Sequence, residues 1–286
     1  MTITLRFLFF ILLSFSLFAE ENTVVLVAER DSFALKNLYK NLKNLAPNYN
    51  YKISTETSPI VIKPNNFIVQ VGEKVPSHIL LSRHKKNIAV LVTKSQSQKL
   101  DVQTSIWLEP PLYRQLKLAN LVIPGEKKIG LLVNDDESSE KQLSGLTEAQ
   151  KEMLKVVKLA DYENINQALF HVLKDTRLLL GSYDNDIYNA RNIKNILITS
   201  YRQQKVLIGP SRAYLKAGSF ATTFSDLDHI AMRLIEVIKH YNLKNKWLKA
   251  DYNPHYRILF NRQVARSLNI VIQDIAEIEK QMRDES

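Results

Sequence analysis

The sequence predicts an α/β protein made of two doubly wound parallel-sheet lobes with a hinged cleft between them. Three observations lead there. Short continuous apolar runs recur along the chain, as strands buried on both faces of a parallel sheet require. Stretches of helical periodicity separate those runs. The alternation also occurs twice in tandem, with Pro110-Pro111 standing between the two series.

The first series opens with Thr23-Val-Val-Leu-Val-Ala28, an unbroken apolar run. Phe33, Leu35, Leu38, Leu42 and Leu45 then recur at mostly helical spacing, with Asp31 or Ser32 as the N-cap. Tyr51-Lys-Ile-Ser-Thr55 alternates like an outer strand. Asn66-Phe-Ile-Val-Gln-Val71 and Asn87-Ile-Ala-Val-Leu-Val-Thr93 read as two more buried strands, with a short helix from Ser77 to Arg83 between them. After the prolines, residues 112–122 are helical, and Pro111 suits the first turn. Strands are predicted at 128–133, 155–159, 177–181 and 205–208, and helices within 138–153 and over 164–173 and 189–201. The last of these places Ile193, Ile196, Leu197 and Tyr201 on one face. A final helix opens at Ser225, with Leu227, Ile230, Ala231, Leu234, Ile235 and Ile238 as its apolar stripe.

Composition narrows the function classes. The chain has no cysteine, which excludes a disulfide framework, a thiol nucleophile and any zinc site containing cysteine. It has seven glycines and no phosphate-binding loop of the G-x-G-x-x-G or G-x-x-x-x-G-K-[ST] type. The formal charge is +10, but Lys and Arg are scattered rather than gathered in a stripe, which argues against a nucleic-acid partner. The six histidines form no H-E-x-x-H pattern, and no G-x-S-x-G elbow occurs. Asp135-Asp136-Glu137 reads as the acidic start of a helix rather than a metal site. No catalytic residue, metal or cofactor is expected.

The N-terminus implies export. Arg6, the apolar stretch Phe7 to Ala19 and the acidic pair Glu20-Glu21 have the layout of a secretory signal peptide over residues 1–19. The stretch is shorter than the roughly 20 apolar residues a membrane span needs. Leu17 occupies a position where a small residue is preferred before cleavage, so an uncleaved anchor remains the alternative. With no cysteine for lipid attachment, the expected product is a free monomer in a periplasm.

Ligands of open parallel sheets sit outside the C-terminal strand ends. Two such lobes can face those ends across a cleft that a hinge opens and closes. The polar residues after each strand are therefore the site candidates.

Four segments then carry a resemblance. Pro111-Leu-Tyr-Arg-Gln-Leu-Lys-Leu-Ala-Asn-Leu-Val-Ile-Pro124 with Lys128-Ile-Gly-Leu-Leu-Val133 is one, and Gly181-Ser-Tyr-Asp-Asn-Asp-Ile-Tyr-Asn-Ala190 is the second. The third pairs Lys205-Val-Leu-Ile-Gly-Pro-Ser211 with Lys216-Ala-Gly-Ser-Phe-Ala221, and the fourth runs from Ile258 to Ile272. In this order they resemble the periplasmic substrate-binding components of ABC transporters with the type I periplasmic-binding fold, the group that includes tryptophan- and other amino-acid-binding members. The resemblance spans about residues 105–272. It implies lobe one as 20–109 and 221–252, and lobe two as 110–220 and 253–286.

The departures lie in lobe one. A proline-flanked loop over 57–66 replaces the family's helix between strands two and three. Gly72-Glu-Lys and Thr93-Lys-Ser stand where the family carries small residues, and Asn269 takes the place of a glycine. Lobe one is thereby expected to hold a different ligand or to hold one less tightly.

Asp184 is the leading site candidate, since the matching family residue lies in the cleft and can pair with an ammonium group. The competing reading makes Tyr183-Asp-Asn-Asp186 a polar turn in which Asp or Asn caps the next helix. Asn185 fits the turn reading better, and Tyr183 suits either stacking on a planar ligand or a place at the rim. Thr93 and Ser95 are candidates for a ligand carboxylate, with Glu73 beside them. Arg212 can neutralise a carboxylate or simply be solvated. Trp107 and Glu109 precede the first crossing between lobes, and Trp107 reads as core.

The resemblance implies a non-enzymatic solute-binding protein that holds an amino-acid- or amine-like solute and delivers it to a membrane ABC permease. The alternative, motivated by the altered lobe-one loops, is a sensory protein of the same fold that signals to a membrane receptor.

Overall fold

A computed structural model describes residues 23–125, 128–272 and 274–283. The expected signal peptide lies outside these residues. The described strands form two six-stranded sheets. In the first, β2 (Asn50–Ser54), β1 (Thr23–Val27), β3 (Phe67–Val71), β4 (Asn87–Val92), β5 (Thr104–Trp107) and β11 (Asp251–Tyr252) lie side by side in that order, all parallel. The second runs β7 (Leu154–Lys158), β6 (Ile129–Val133), β8 (Leu178–Leu180), β9 (Val206–Ile208), β10 (Ala221–Phe224) and β12 (Arg257–Phe260). Only its last pair, β10 with β12, is antiparallel.

The strand order thus repeats from lobe to lobe, which is the doubly wound α/β arrangement. β1, β3 and β6 are buried at every position because helices or loops cover both faces of each sheet. In lobe one, α1 (Phe33–Leu45) and α9 (Leu227–Lys244) cover one face through Leu35, Leu38, Leu42, Ile230, Leu234 and Ile238. Ser32 caps α1, accepting from the Leu35 N–H at 3.1 Å. Phe33 and Leu45 depart from the expected stripe. Both are exposed, because the spacing places them at the ends of the helix beyond the reach of the sheet.

The opposite face of the first sheet has no helix between β2 and β3. The loop over 57–66 and the segment after β3 cover it with Ile60, Ile62, Val75, Ile79 and Leu81, which pack on Val25, Val27 and Ile68. The helix expected from Ser77 to Arg83 reduces to one 3-10 turn, Leu81–Arg83, since this segment is drawn down to cap the sheet. In lobe two the expected element over 138–153 is two helices, α4 (Asp136–Leu143) and α5 (Glu148–Glu152), each with a side-chain N-cap. The helix expected from Asn189 begins at Ile193, as α7 (Ile193–Arg202), after a turn organised by the Asn189 side chain. Tyr201 on it is exposed.

The chain passes between the sheets three times: after β5, after β10 and between β11 and β12. Ala221–Phe224 pairs with β9 and β12, so these residues belong to the second sheet and the second crossing follows Phe224. The boundary expected at residue 221 is therefore too early. The Thr222 and Thr223 side chains are buried and hydrogen-bonded there, which disguises the strand in the sequence.

Candidate functional site

The C-terminal ends of both sheets meet at a cavity of about 330 Å³. Its first wall follows β4. The register between β4 and β5 slips between Val90 and Val92, and Leu91 takes up the extra residue with φ +57°. A bulge of this kind turns the end of the strand. Thr93 follows at once and caps α2 (Lys94–Ser97) through a reciprocal box: Gln96 N–H donates to Thr93 Oγ1 at 3.1 Å, and Thr93 N–H to Gln96 Oε1 at 2.8 Å. Glu109, after β5, accepts the Lys94 N–H on Oε1 at 2.7 Å. Trp107 donates from Nε1 to Ser97 Oγ and Ser105 Oγ and packs edge-on against Tyr252 at the end of β11.

The second wall follows β8 and β9. Gly181 N–H donates to Ile208 O at 2.8 Å, and a Cβ on Gly181 would lie 2.6 Å from Pro210 Cδ. Glycine here lets the two strand ends close up, which brings Ser182 to Asp186 and Pro210 onto one surface. Asp184 accepts the Asp186 N–H on Oδ1 at 3.0 Å, and its carbonyl accepts from Tyr188 N–H at 2.7 Å. The turn reading of Tyr183-Asp-Asn-Asp186 and its place on the cavity wall therefore hold together. Ser138, Lys141 and Gln142 of α4 complete this wall. Lys141 Nζ donates to Ser95 Oγ at 3.0 Å, a direct link from one lobe to the other.

Of the sequence candidates, Thr93, Ser95, Tyr183, Asp184 and Asn185 line this cavity together. Two do not. Glu73 is exposed and accepts from Gln96 Nε2 at 3.1 Å. Arg212 is exposed, with its guanidinium 5.5 Å from the centre of the Phe224 ring. The hydroxyls of Thr93 and Ser95 are already engaged, one as a helix cap and one with Lys141.

Sequence reasoning passed over several cavity residues, among them Lys141, Gln142, Ser182 and Tyr252, and gave Glu109 no binding role. Glu109 Oε2, Gln142 Oε1, Ser182 Oγ and Asp184 Oδ2 are buried and have no hydrogen-bond partner within the protein. Buried polar atoms are otherwise almost always paired. Burial pushes the Glu109 carboxyl above the ordinary range, against the opposing pull of the Lys94 N–H and of the Lys94 and Lys141 charges. Burial likewise raises Asp184, against the opposing pull of the Asp186, Asn134 and Ile187 N–H groups. Tyr183 from lobe two and Tyr252 from lobe one are both raised, first by burial and then by the Glu109 charge, and Tyr252 reaches about 12. Glu109 thus sits where the two lobes meet.

Among the described residues no group of three or more His, Asp or Glu side chains is placed to hold a metal ion. No family profile matches the chain, and no curated protein matches it by sequence. Solved structures do. A substrate-binding protein with adhesive properties from Clostridium difficile, in its ligand-free open form, aligns with a TM-score of 0.61 at 11% identity, over 88% of this chain and 95% of that one. An ABC domain from Streptococcus pneumonia in complex with L-Trp gives 0.54 at 15% identity, over 91% and 98%. A conserved domain protein from Vibrio cholerae gives 0.53 at 17% identity, over 91% and 97%. The fold is the two-lobed type I periplasmic-binding fold. At these identities the likeness concerns architecture, and what the site does has to be argued from its own residues.

Proposed function

We propose that this chain is a non-enzymatic, exported solute-binding protein. Two lobes close on a small organic solute bearing an amine, and the closed form passes it to a membrane ABC permease. One observation carries the reading: the cavity lies at the carboxyl ends of both sheets and is lined by polar side chains of both lobes, Thr93, Ser95 and Glu109 from one and Ser182, Tyr183 and Asp184 from the other. Polar groups on a wall shared by two lobes favour a ligand that pairs with both. The volume suits a solute of amino-acid size, at the lower end of the roughly 300–1,000 Å³ typical of ligand pockets.

The mechanism is a population shift. Contacts made by one ligand with both walls are complete only when the lobes are closed, so ligand favours that state. The Lys141–Ser95 hydrogen bond acts in the same direction. The hydroxyl beside a basic group on the cavity wall, Ser95 with Lys141, is an exposed contact between lobes and not a buried, oriented pair, which supports binding over chemistry.

Purified, dialysed protein is to be screened by thermal shift against amino acids, amines and nucleosides. A rise in melting temperature with any amine-bearing member supports the reading. No shift across the library refutes it.

A further inference from the structure

We propose that the end of lobe one farthest from the cleft docks on an anionic lipid bilayer, a property separate from solute binding. All six strands of the first sheet are parallel, so their N-terminal ends share one edge. The helices α1 and α9 run back along the sheet, and their last turns reach the same edge. There the Asn242 amide donates to the Tyr49 hydroxyl at 3.4 Å, and Tyr241 and Trp247 pack edge-on against Phe67, the first residue of β3.

Charge divides lobe one along the strand direction. Lysines that look scattered in the sequence gather at this edge: Lys43 and Lys244 in the last turns of α1 and α9, Lys246 after α9, and Lys63, Lys85 and Lys99 on the segments entering β3, β4 and β5. All six are exposed. The Lys and Arg ion pairs within lobe one engage Arg30, Lys36, Lys74 and Arg233 instead. The acids Glu29, Asp31, Glu56, Glu73 and Glu109 follow the opposite ends of the strands, toward the cleft. Against the lysines stand Asp101, before β5, and Glu20-Glu21, ahead of β1 in the sequence. Helix dipoles account for Lys43 and Lys244 but not for the lysines of the loops.

Two features select lipid over nucleic acid. Leu243, 81% exposed, and Leu45, 49% exposed, stand among the lysines. Exposed leucines gain from an acyl boundary and not from a phosphate backbone, and mixed basic and apolar surface is what binds an anionic interface. The apolar stretch Phe7 to Ala19 also joins β1 at this end, with only Glu20, Glu21 and Asn22 between, so export brings this end of the lobe next to the bilayer. Docked this way, the protein keeps its cleft, at the other ends of the same strands, away from the membrane.

The exported protein, its N-terminus read by mass spectrometry, is sedimented with vesicles of phosphatidylcholine and with vesicles half phosphatidylglycerol. With the apolar stretch removed, binding to the anionic vesicles is expected to be about tenfold or more tighter, and to be lost between about 0.1 M and about 1 M salt as the Debye length shrinks from about 10 Å to about 3 Å. Lys244→Gln with Lys246→Gln should weaken it by about tenfold or more, at roughly fivefold per lysine. Lys174→Gln with Lys194→Gln, both exposed on lobe two, should weaken it by less than about threefold. With the stretch retained and inserted in both vesicles, hydrogen exchange over 243–250 is the readout, slowed by the anionic and not by the neutral lipid. Equal binding to both lipids, or equal exchange on both, overturns the proposal. So does an equal loss in the lobe-two variant, which would put net charge alone at work. Salt-sensitive binding to a DNA duplex without binding to vesicles would reassign the patch to nucleic acid and overturn it as well. Each of these results leaves the solute-binding reading standing.

Discussion

Gln115→Leu tests how the lobe-two wall is held. Gln115 lies on α3 (Leu112–Val122) and is 2% exposed. Its Nε2 donates to Gly209 O at 2.9 Å, and its Oε1 accepts from Thr223 N–H at 3.2 Å and from the Thr223 hydroxyl at 3.0 Å. The reason is local. β9 pairs with β10 only at Ile208 and Ala221, and just beyond that point the Gln115 amide bridges Gly209 O and the Thr223 N–H. The Gln115 amide stands in for the missing strand residue. Leucine is close to glutamine in size, so the substitution leaves little cavity and the loss is polar. Gly209 O keeps its bond from the Thr222 hydroxyl at 2.8 Å, whereas Thr223, fully buried, loses the partner of both its N–H and its hydroxyl. At about 1–3 kcal/mol for each orphaned buried group, and with the hydroxyl free to rotate, we expect a destabilisation of about 2–4 kcal/mol.

Urea unfolding followed by circular dichroism measures the loss. A double-mutant cycle sharpens it. Thr223→Val in the wild-type background removes a satisfied hydroxyl and costs about 1 kcal/mol. In the Gln115→Leu background it removes an orphaned one and becomes neutral or stabilising, giving a coupling of about 1 kcal/mol or more. A Gln115→Leu protein within about 0.5 kcal/mol of wild type, or additivity of the two changes, refutes the surrogate-strand reasoning.

The other predictions concern the cavity walls. Gly181→Ala places a methyl 2.6 Å from Pro210 Cδ and 3.0 Å from Ile208 O, so a loss of about 1–3 kcal/mol is expected by thermal denaturation; an unchanged melting temperature would speak against close approach of the strand ends. Lys141→Gln weakens the exposed link to Ser95, worth about 0.3–1 kcal/mol, and should enlarge the ligand-free radius of gyration in small-angle scattering; an identical profile would show that the link does not bias closure. The pH dependence of ligand-free stability follows from Glu109 and Asp184, whose folded values lie above their unfolded ones. Their contribution is fully present below the ordinary carboxylate range and is lost as pH rises through the raised values. Asp184→Asn should therefore gain in melting temperature over wild type between about pH 4 and pH 7. A difference that stays flat across that range would mean Asp184 is not desolvated.

Much of the fold was legible because burial on both faces writes itself as apolar runs. β1, β3 and β6 are such runs, and their extents are close to those expected. β5 and β10 escaped notice for the opposite reason. Thr104, Ser105, Thr222 and Thr223 are buried with their hydroxyls paired: to Leu248 O for Thr104, from Trp107 Nε1 for Ser105, and to Gly209 O and Gln115 for the two threonines. Those partners are distant in sequence except within β5 itself, so no local pattern announces them. The site shows the same division. Asp184 is visible because it follows a strand in an Asx-type turn. Gln142 is not, since α4 is polar up to its last residue, Leu143, and nothing in the sequence says which of its residues faces the other lobe. Glu109 could be placed at the crossing, but its desolvation depends on Tyr183, Tyr252 and the facing lobe, which only the assembled structure brings together.

Glu109 and Asp184, which line the cavity, each bury one carboxylate oxygen without a hydrogen-bond partner. A sequence shaped only for stability would pair Glu109 Oε2 and Asp184 Oδ2 or replace them, because each buried, partnerless carboxylate oxygen works against the folded state. Nor are they mere leftovers of turn geometry. Glu109 and Asp184 each satisfy their structural hydrogen bond with one oxygen, and an amide or a hydroxyl would serve that purpose without a charge. Glu109 follows β5 of one sheet and Asp184 follows β8 of the other, so the two acids come from separate lobes and not from one local motif. Local departures from stability that converge from two separate lobes on one cavity point to a ligand.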